Sequence, residues 1–151
     1  MRLEIYDSKD LNFVELNITG SNDSFVRCDK ESRYIDSIVF NLFTPCFEES
    51  NKLYEYYGPT KYNSRKIIPL RNELMKYKEK LESIKTAEEF NEFCNEHYMG
   101  SEFLESLNNN RPGWEENPGY VIDKLIIINY QLIQVTELCA DEERILWVAG
   151  Y

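Results

Sequence analysis

Apolar and polar residues alternate in the first thirty positions, which is the pattern of half-buried β-strands. Apolar residues occupy every second position in 3–5 and again in 14–18, and a third short apolar run follows at 25–28. Turn-forming residues at 19–23 separate the last two runs. The N-terminal part of the chain therefore predicts a short antiparallel β-meander.

From Ser32 onward the apolar spacing becomes helical. Apolar residues within 34–43 share one helical face, and Thr44-Pro45 then supplies a stop and a new N-cap with proline in the first turn. A second helix is predicted from there, with Tyr57 among its apolar positions. Gly58-Pro59 is expected to end it.

Two further helices are predicted in the middle of the chain. One begins near Pro69, because apolar residues recur three and four positions apart as far as Ile84, which suits packing on another helix. Thr86 followed by Glu89 is a capping-box pattern that opens the next helix. That helix is expected to close at Gly100.

The last third of the chain predicts the centre of the core. A short helix is expected at 101–107 and a loop at 108–113, after which Asn117-Pro118 restarts a helix. Apolar residues repeat through 121–139 and occupy nearly all sides of this helix. A helix of that kind is buried, so we expect it to be the central helix.

One alternative stays open for this region. Its many β-branched residues are also compatible with a strand pair formed by 125–136 and 144–148. We favour the helix, with 144–148 as a closing strand in either case. The predicted fold is α+β: a single globular domain over 1–151 with a short N-terminal antiparallel β-meander, five to six helices, a central apolar C-terminal helix and a C-terminal strand.

Composition indicates a folded protein that needs no metal, cofactor or disulfide. Apolar residues make up 42% of the 151 residues and aromatics 14%, which is enough to build a core. The four cysteines are irregularly spaced, as expected for reduced thiols. No export signal is apparent, and no segment approaches the roughly 18 apolar residues of a membrane helix. We therefore expect a cytoplasmic protein without a membrane partner.

The charge of the chain points to a cationic partner. Seventeen basic and 27 acidic residues give a net charge of −10, which disfavours nucleic acid because like charges repel at long range. A basic segment at 61–85 could contact nucleic acid through its lysines and tyrosines. The simpler interpretation is that these lysines are the solvent face of a helix.

Two cysteine arrangements are candidates for thiol chemistry. Cys94 and His97 lie three residues apart, a spacing at which a thiol and an imidazole can meet. Cys46 lies in a predicted first helical turn, where the helix dipole lowers the pKa of a thiol. For each, a structural role is the stronger interpretation, because aromatic residues surround the first pair and Glu48 and Glu49 oppose a thiolate at the second.

The acidic stretch at 86–119 is the most suggestive feature for function. It holds eight glutamates against Arg111, a net charge of −7. Aromatic residues in and beside it are candidate binding anchors. The residues expected to contact a partner are Glu88, Glu89, Glu92, Glu96, Tyr98, Glu102, Phe103, Trp114, Glu115 and Glu116.

These observations predict a non-enzymatic acidic protein that docks on a basic protein, such as a toxin or nuclease, and neutralises it. In size, charge and lack of a catalytic motif the chain is similar to bacterial immunity proteins, an analogy of bulk properties. One alternative is a structural or scaffolding subunit that assembles through an aromatic surface. Another is a thiol-dependent enzyme that uses Cys46 or the pair Cys94 and His97.

Overall fold

The strands of the sheet come from both ends and the middle of the chain. A computed structural model describes residues 1–56 and 58–150. Its strands are β1 (Phe13–Asn17), β2 (Arg33–Asp36), β3 (Thr60–Tyr62) and β4 (Leu146–Gly150). They form an antiparallel sheet in the order β2-β1-β4-β3. The closing strand β4 therefore lies between β1 and β3, which confirms the predicted C-terminal strand.

The helices account for most of the remaining ordered structure. They are α1 (Ser37–Phe40), α2 (Thr44–Ser50), α3 (Ile67–Ser83), α4 (Ala87–Asn95), α5 (Gly100–Asn110) and α6 (Pro118–Asp141), with a 3₁₀ turn at Trp114–Glu116. The predicted α+β fold class, with six helices and a C-terminal strand, is confirmed.

The sheet separates a large core from a small one. Alternation along β1 and β2 sends Val14, Leu16 and Ile35 toward the helices, where they join the main core. Phe13 and Tyr34 face the other way and pack with Tyr6 in a second cluster. Both sides of the sheet are therefore covered.

The main core lies where α3 packs on α6. The predicted apolar seam of α3 is buried from Ile67 to Leu81, and Ile84 just beyond the helix is buried as well. In α6, Leu125 and Ile128 are completely buried. The helix runs unbroken over 24 residues, so the alternative strand pair at 125–136 and 144–148 is wrong.

Several local predictions differ from the structure. Residues 33–36 form the strand β2, where a helix was predicted. Tyr34 is buried on one face of the sheet and Ile35 on the other. The run at 25–28 is not a strand, and β3 was not predicted. The second helix ends at Ser50. Tyr57, once assigned to that helix, lies outside the described residues.

The observed boundaries of α4 and α5 also differ from the predicted ones. α4 ends at Asn95, and Gly100 begins α5 where it was expected to close the preceding helix. α5 then continues through residues 108–110, which were predicted as loop. Within the described residues, no helix combines the length and apolar character needed to cross a membrane.

Candidate protein-binding surface

The acidic stretch folds into three consecutive elements: α4, α5 and the 3₁₀ turn. α4 begins with the predicted cap, in which the Thr86 hydroxyl oxygen accepts a hydrogen bond of 3.1 Å from the Glu89 amide. Phe90 and Phe93 point inward from α4 and are buried. The glutamates occupy the other positions and are exposed. We call these eight residues the acidic surface: Glu88, Glu89, Glu92, Glu96, Glu102, Glu105, Glu115 and Glu116.

Aromatic packing holds the three elements together. The ring of Phe90 contacts the rings of Phe103 on α5 and Trp114 in the 3₁₀ turn, with centroids 6.1 and 5.5 Å apart. Both contacts are T-shaped, the favoured geometry for aromatic pairs. The acidic surface is therefore carried by a fixed aromatic scaffold.

Phe103 and Trp114, which were predicted to contact a partner, are both buried in the protein. Phe103 is 0% exposed and Trp114 is 2% exposed. The indole nitrogen Nε1 of Trp114 donates a hydrogen bond of 2.7 Å to Asn108 Oδ1, so its polar atom is satisfied internally. An aromatic residue in a short connection can close a core as readily as it can present itself to solvent. These two side chains anchor the surface from below.

Most glutamates of the acidic surface form no ion pair with another described residue. Glu96 forms an ion pair of 3.2 Å with Lys80. Glu89 accepts from the Lys85 backbone amide at 3.4 Å, and Glu102 accepts from the Ser101 hydroxyl at 2.8 Å. Across residues 1–56 and 58–150, no salt bridge involves any glutamate of this surface except Glu96. The negative charge of the other seven is therefore not neutralised locally.

Tyr98 is the remaining predicted anchor, and it is 61% exposed. It lies in the connection between α4 and α5, where Met99 has a left-handed backbone with φ of 55°. The Tyr98 ring meets the ring of Tyr56 edge to face at 5.4 Å. Tyr56 comes from a distant loop, and no sequence spacing indicated this pair.

The basic segment differs from the acidic surface because four of its eight basic residues, Arg71, Lys76, Lys78 and Lys80, form ion pairs with other described residues. Lys76 pairs with Glu73 at 3.1 Å, and Arg71 pairs with Glu137 of α6 at 3.3 Å. Lys80 reaches Glu96, as described above. This pairing favours the interpretation of the segment as a solvated helix face.

Cys94 and His97 do not form a thiol–imidazole pair. The Nδ1 atom of His97 lies 2.6 Å from the Phe93 carbonyl oxygen, and Nε2 lies 2.7 Å from the Tyr77 hydroxyl. That hydroxyl also contacts the Leu42 carbonyl oxygen, so its one proton has two acceptors. Burial raises the pKa of Cys94 to about 12 and lowers the pKa of His97. Both ring nitrogens are engaged elsewhere, and the thiol stays protonated.

Cys46 is buried, as the stronger interpretation predicted, and it does not have the lowered pKa of a reactive thiol. It lies in the first turn of α2, but its side chain is buried, and burial raises the pKa of the thiol well above its usual range. The negative charge of Glu73 raises the pKa further. Desolvation therefore outweighs the helix dipole here.

The described part of the chain also contains no group of three or more His, Cys, Asp or Glu side chains placed to hold a metal ion. Comparison with known proteins found no matching family model, no similar curated protein and no similar solved structure.

Proposed function

We propose that this protein binds a basic protein through the acidic surface and inhibits it by covering its cationic face. The observation that carries the proposal is the exposure of all eight glutamates on one scaffold, of which, within the described part of the chain, Glu96 alone forms an ion pair with a lysine. Solubility needs only a modest net charge spread over the surface. A concentrated, uncompensated charge favours a complementary partner.

Electrostatic strain within α4 supports the same proposal. Glu88, Glu92 and Glu96 follow one another at four-residue intervals, so successive carboxylates are neighbours on the helix surface. Each such like-charge pair destabilises a helix by about 0.2–0.5 kcal/mol. A cationic partner would remove this repulsion on binding.

Charged and aromatic residues of this surface would affect different steps of binding. Long-range attraction accelerates encounter with a basic protein, and a few buried aromatic contacts set the lifetime of the complex. Tyr98 is the exposed aromatic residue that adjoins the acidic helices. Because Phe103 and Trp114 are buried, Tyr98 is the aromatic anchor in this proposal.

The test is a comparison of two double variants of equal charge change. Glu88→Lys with Glu92→Lys changes the charge of the acidic surface from −8 to −4, while Glu48→Lys with Asp141→Lys makes the same change of charge on α2 and at the end of α6. Each immobilised variant is incubated with extract of the source cells, and captured proteins are identified by mass spectrometry. We expect a basic protein that the wild type and the second variant retain and the first variant loses.

Two results would contradict the proposal. Equal loss by both double variants would show a general effect of net charge, and equal retention would show that the acidic surface is not the contact. Urea unfolding checks that both variants remain folded, since exposed substitutions near a helix start change stability by about 1 kcal/mol or less.

A second candidate function, assembly as a structural subunit, is favoured by one feature of α6. Ile127 and Tyr130, spaced by one helical turn, are 51% and 52% exposed, although the opposite face of this helix is buried. Sedimentation over a hundredfold range of concentration distinguishes the two functions. Self-association that Ile127→Glu with Tyr130→Glu abolishes would support assembly, whereas a monomer throughout would exclude it.

A further inference from the structure

A cavity of about 470 Å³ opens between the end of the sheet where β1 pairs with β4, α1 and the connection that precedes α5. Its volume falls within the range of about 300–1,000 Å³ found for small-molecule sites. It is separate from the acidic glutamates. The residues lining it are Asn12, Val14, Ser37, Ile38, Phe40, Asn41, Tyr54, Tyr56, Met99 and Gly150.

The lining of the cavity carries no charge among the described residues, although 44 of the 151 residues in the chain are Asp, Glu, Lys or Arg. Moving an ion into such surroundings costs several kcal/mol without a countercharge. A ligand that fits this cavity is therefore neutral.

Aromatic and sulfur groups form much of the wall. The residues Phe40, Tyr54 and Tyr56 line the cavity together with Met99. Aromatic rings contact one another favourably edge to face or offset, and thioether sulfur packs well against ring edges. These surfaces suit a flat aromatic group better than a bulky aliphatic one.

Asn41 supplies a directional polar group. It is only 3% exposed, and its Oδ1 accepts a hydrogen bond of 2.6 Å from the Tyr56 hydroxyl. No described residue accepts a hydrogen bond from its Nδ2. Among the described residues, fully buried side-chain polar atoms without a hydrogen-bond partner occur only at Arg71, Asn129 and Gln131, so Asn41 Nδ2 is reached by solvent from the cavity. An acceptor oxygen on a ligand would satisfy it.

We propose that this cavity binds a neutral, planar aromatic ligand with a carbonyl oxygen, which accepts a hydrogen bond from Asn41 Nδ2. The ring of the ligand lies against Phe40, Tyr54 and Met99. This site does not depend on the partner-binding role of the acidic surface, and either can fail without the other.

The test uses benzamide as the probe and follows ¹H–¹⁵N NMR spectra of the whole protein during titration. We expect saturable shifts confined to signals of residues around the cavity, including the side-chain amide of Asn41. Cyclohexanecarboxamide keeps the carbonyl but not the flat ring, and benzoate keeps the ring but is charged. Each is expected to bind at least about tenfold more weakly than benzamide, which corresponds to the loss of roughly one favourable contact.

Two variants provide the matched comparison. Ile38→Trp fills the cavity and is expected to abolish the shifts, whereas Ile127→Trp makes the same change on the exposed side of α6 and should leave the affinity within about twofold. Absence of saturable binding by the wild type would overturn the proposal. So would equal binding of benzoate, or equal binding by the two variants. The wild-type probe series decides the question even if Ile38→Trp does not fold.

Discussion

Asn17 and Asn129 are both completely buried, but their amide groups are in different situations. Asn17 Nδ2 donates to the Val26 carbonyl at 3.0 Å, and its Oδ1 accepts from the Gly20 amide at 3.0 Å, so it ties the loop after β1 to the sheet. Neither amide atom of Asn129 in α6 has a hydrogen-bond partner among the described residues. The first amide stabilises the fold, while the second carries a desolvation cost.

Asn129→Leu is therefore expected to stabilise the protein by about 1–3 kcal/mol, because it removes an unsatisfied buried amide and keeps a similar volume. Asn17→Leu is the matched control and is expected to destabilise by a similar amount, since the loop loses its hydrogen bonds. Urea unfolding measures both. Destabilisation by Asn129→Leu would show that this amide is satisfied in solution.

Burial of His97 predicts a dependence of stability on pH. Desolvation is the largest influence and lowers its pKa; the Phe93 carbonyl and Glu96 oppose this, while Lys80 adds to it. The unfolded chain, with a histidine pKa of 6.5, then binds a proton before the folded protein does. The associated stability is complete above that pH and is lost as the pH falls toward the folded-state pKa.

The free energy of unfolding should thus fall between roughly pH 7.5 and pH 5.5 in the wild type, and fall less in His97→Gln. The variant serves as the control, because carboxylates titrate equally in both proteins. Urea unfolding at the two pH values provides the measurement. An equal pH effect in both proteins would mean that the pKa of His97 is not lowered.

Among the elements, long amphipathic helices were predictable from the sequence and short strands were not. α3, α4 and α6 each combine a repeated apolar face with a capping or proline signal, so local and tertiary preferences agree. β2 and β3 have four and three residues. Their pairing with β1 and β4 depends on tertiary contacts, which the spacing of apolar residues along the chain does not indicate.

The position of α6 at the centre of the core gives a direct prediction. Leu125→Asp and Ile128→Asp should each unfold the protein, because both sites are 0% exposed and an unpaired buried carboxylate costs several kcal/mol. Ile127→Asp places the same group on the exposed side of the helix and should remain folded. Circular dichroism and thermal unfolding distinguish these outcomes. A folded Leu125→Asp protein would be inconsistent with the central placement of α6.

At the scale of the whole molecule, the exposure of the acidic glutamates could be predicted from the sequence but the burial of Trp114 could not. The glutamates of α4 belong to a helix whose inward face was already marked by Phe90 and Phe93, so their exposure followed from the helical period. Trp114 lies in a connection without a period. The neighbouring residues in the sequence therefore do not show whether Trp114 is buried in the core or exposed at a binding surface.

The cavity was beyond prediction for a related reason. Asn41, Tyr56, Met99 and Gly150 come from separate segments of the chain and meet only in the folded structure. None belongs to a motif with a fixed spacing.

The central claim is that the acidic surface recognises a basic protein, and association kinetics test it most directly. Surface plasmon resonance with the captured partner would measure the association rate of the wild type, of Glu88→Lys with Glu92→Lys, and of the matched variant Glu48→Lys with Asp141→Lys. We expect the wild-type rate to fall about tenfold or more as salt rises from roughly 0.05 to 0.5 M, while dissociation changes little.

Charge reversal at Glu88 and Glu92 should slow association at low salt and weaken its salt dependence, and Tyr98→Ala should mainly speed dissociation. The matched variant should associate more nearly like the wild type. Equal association rates for the two double variants at low salt would contradict the claim.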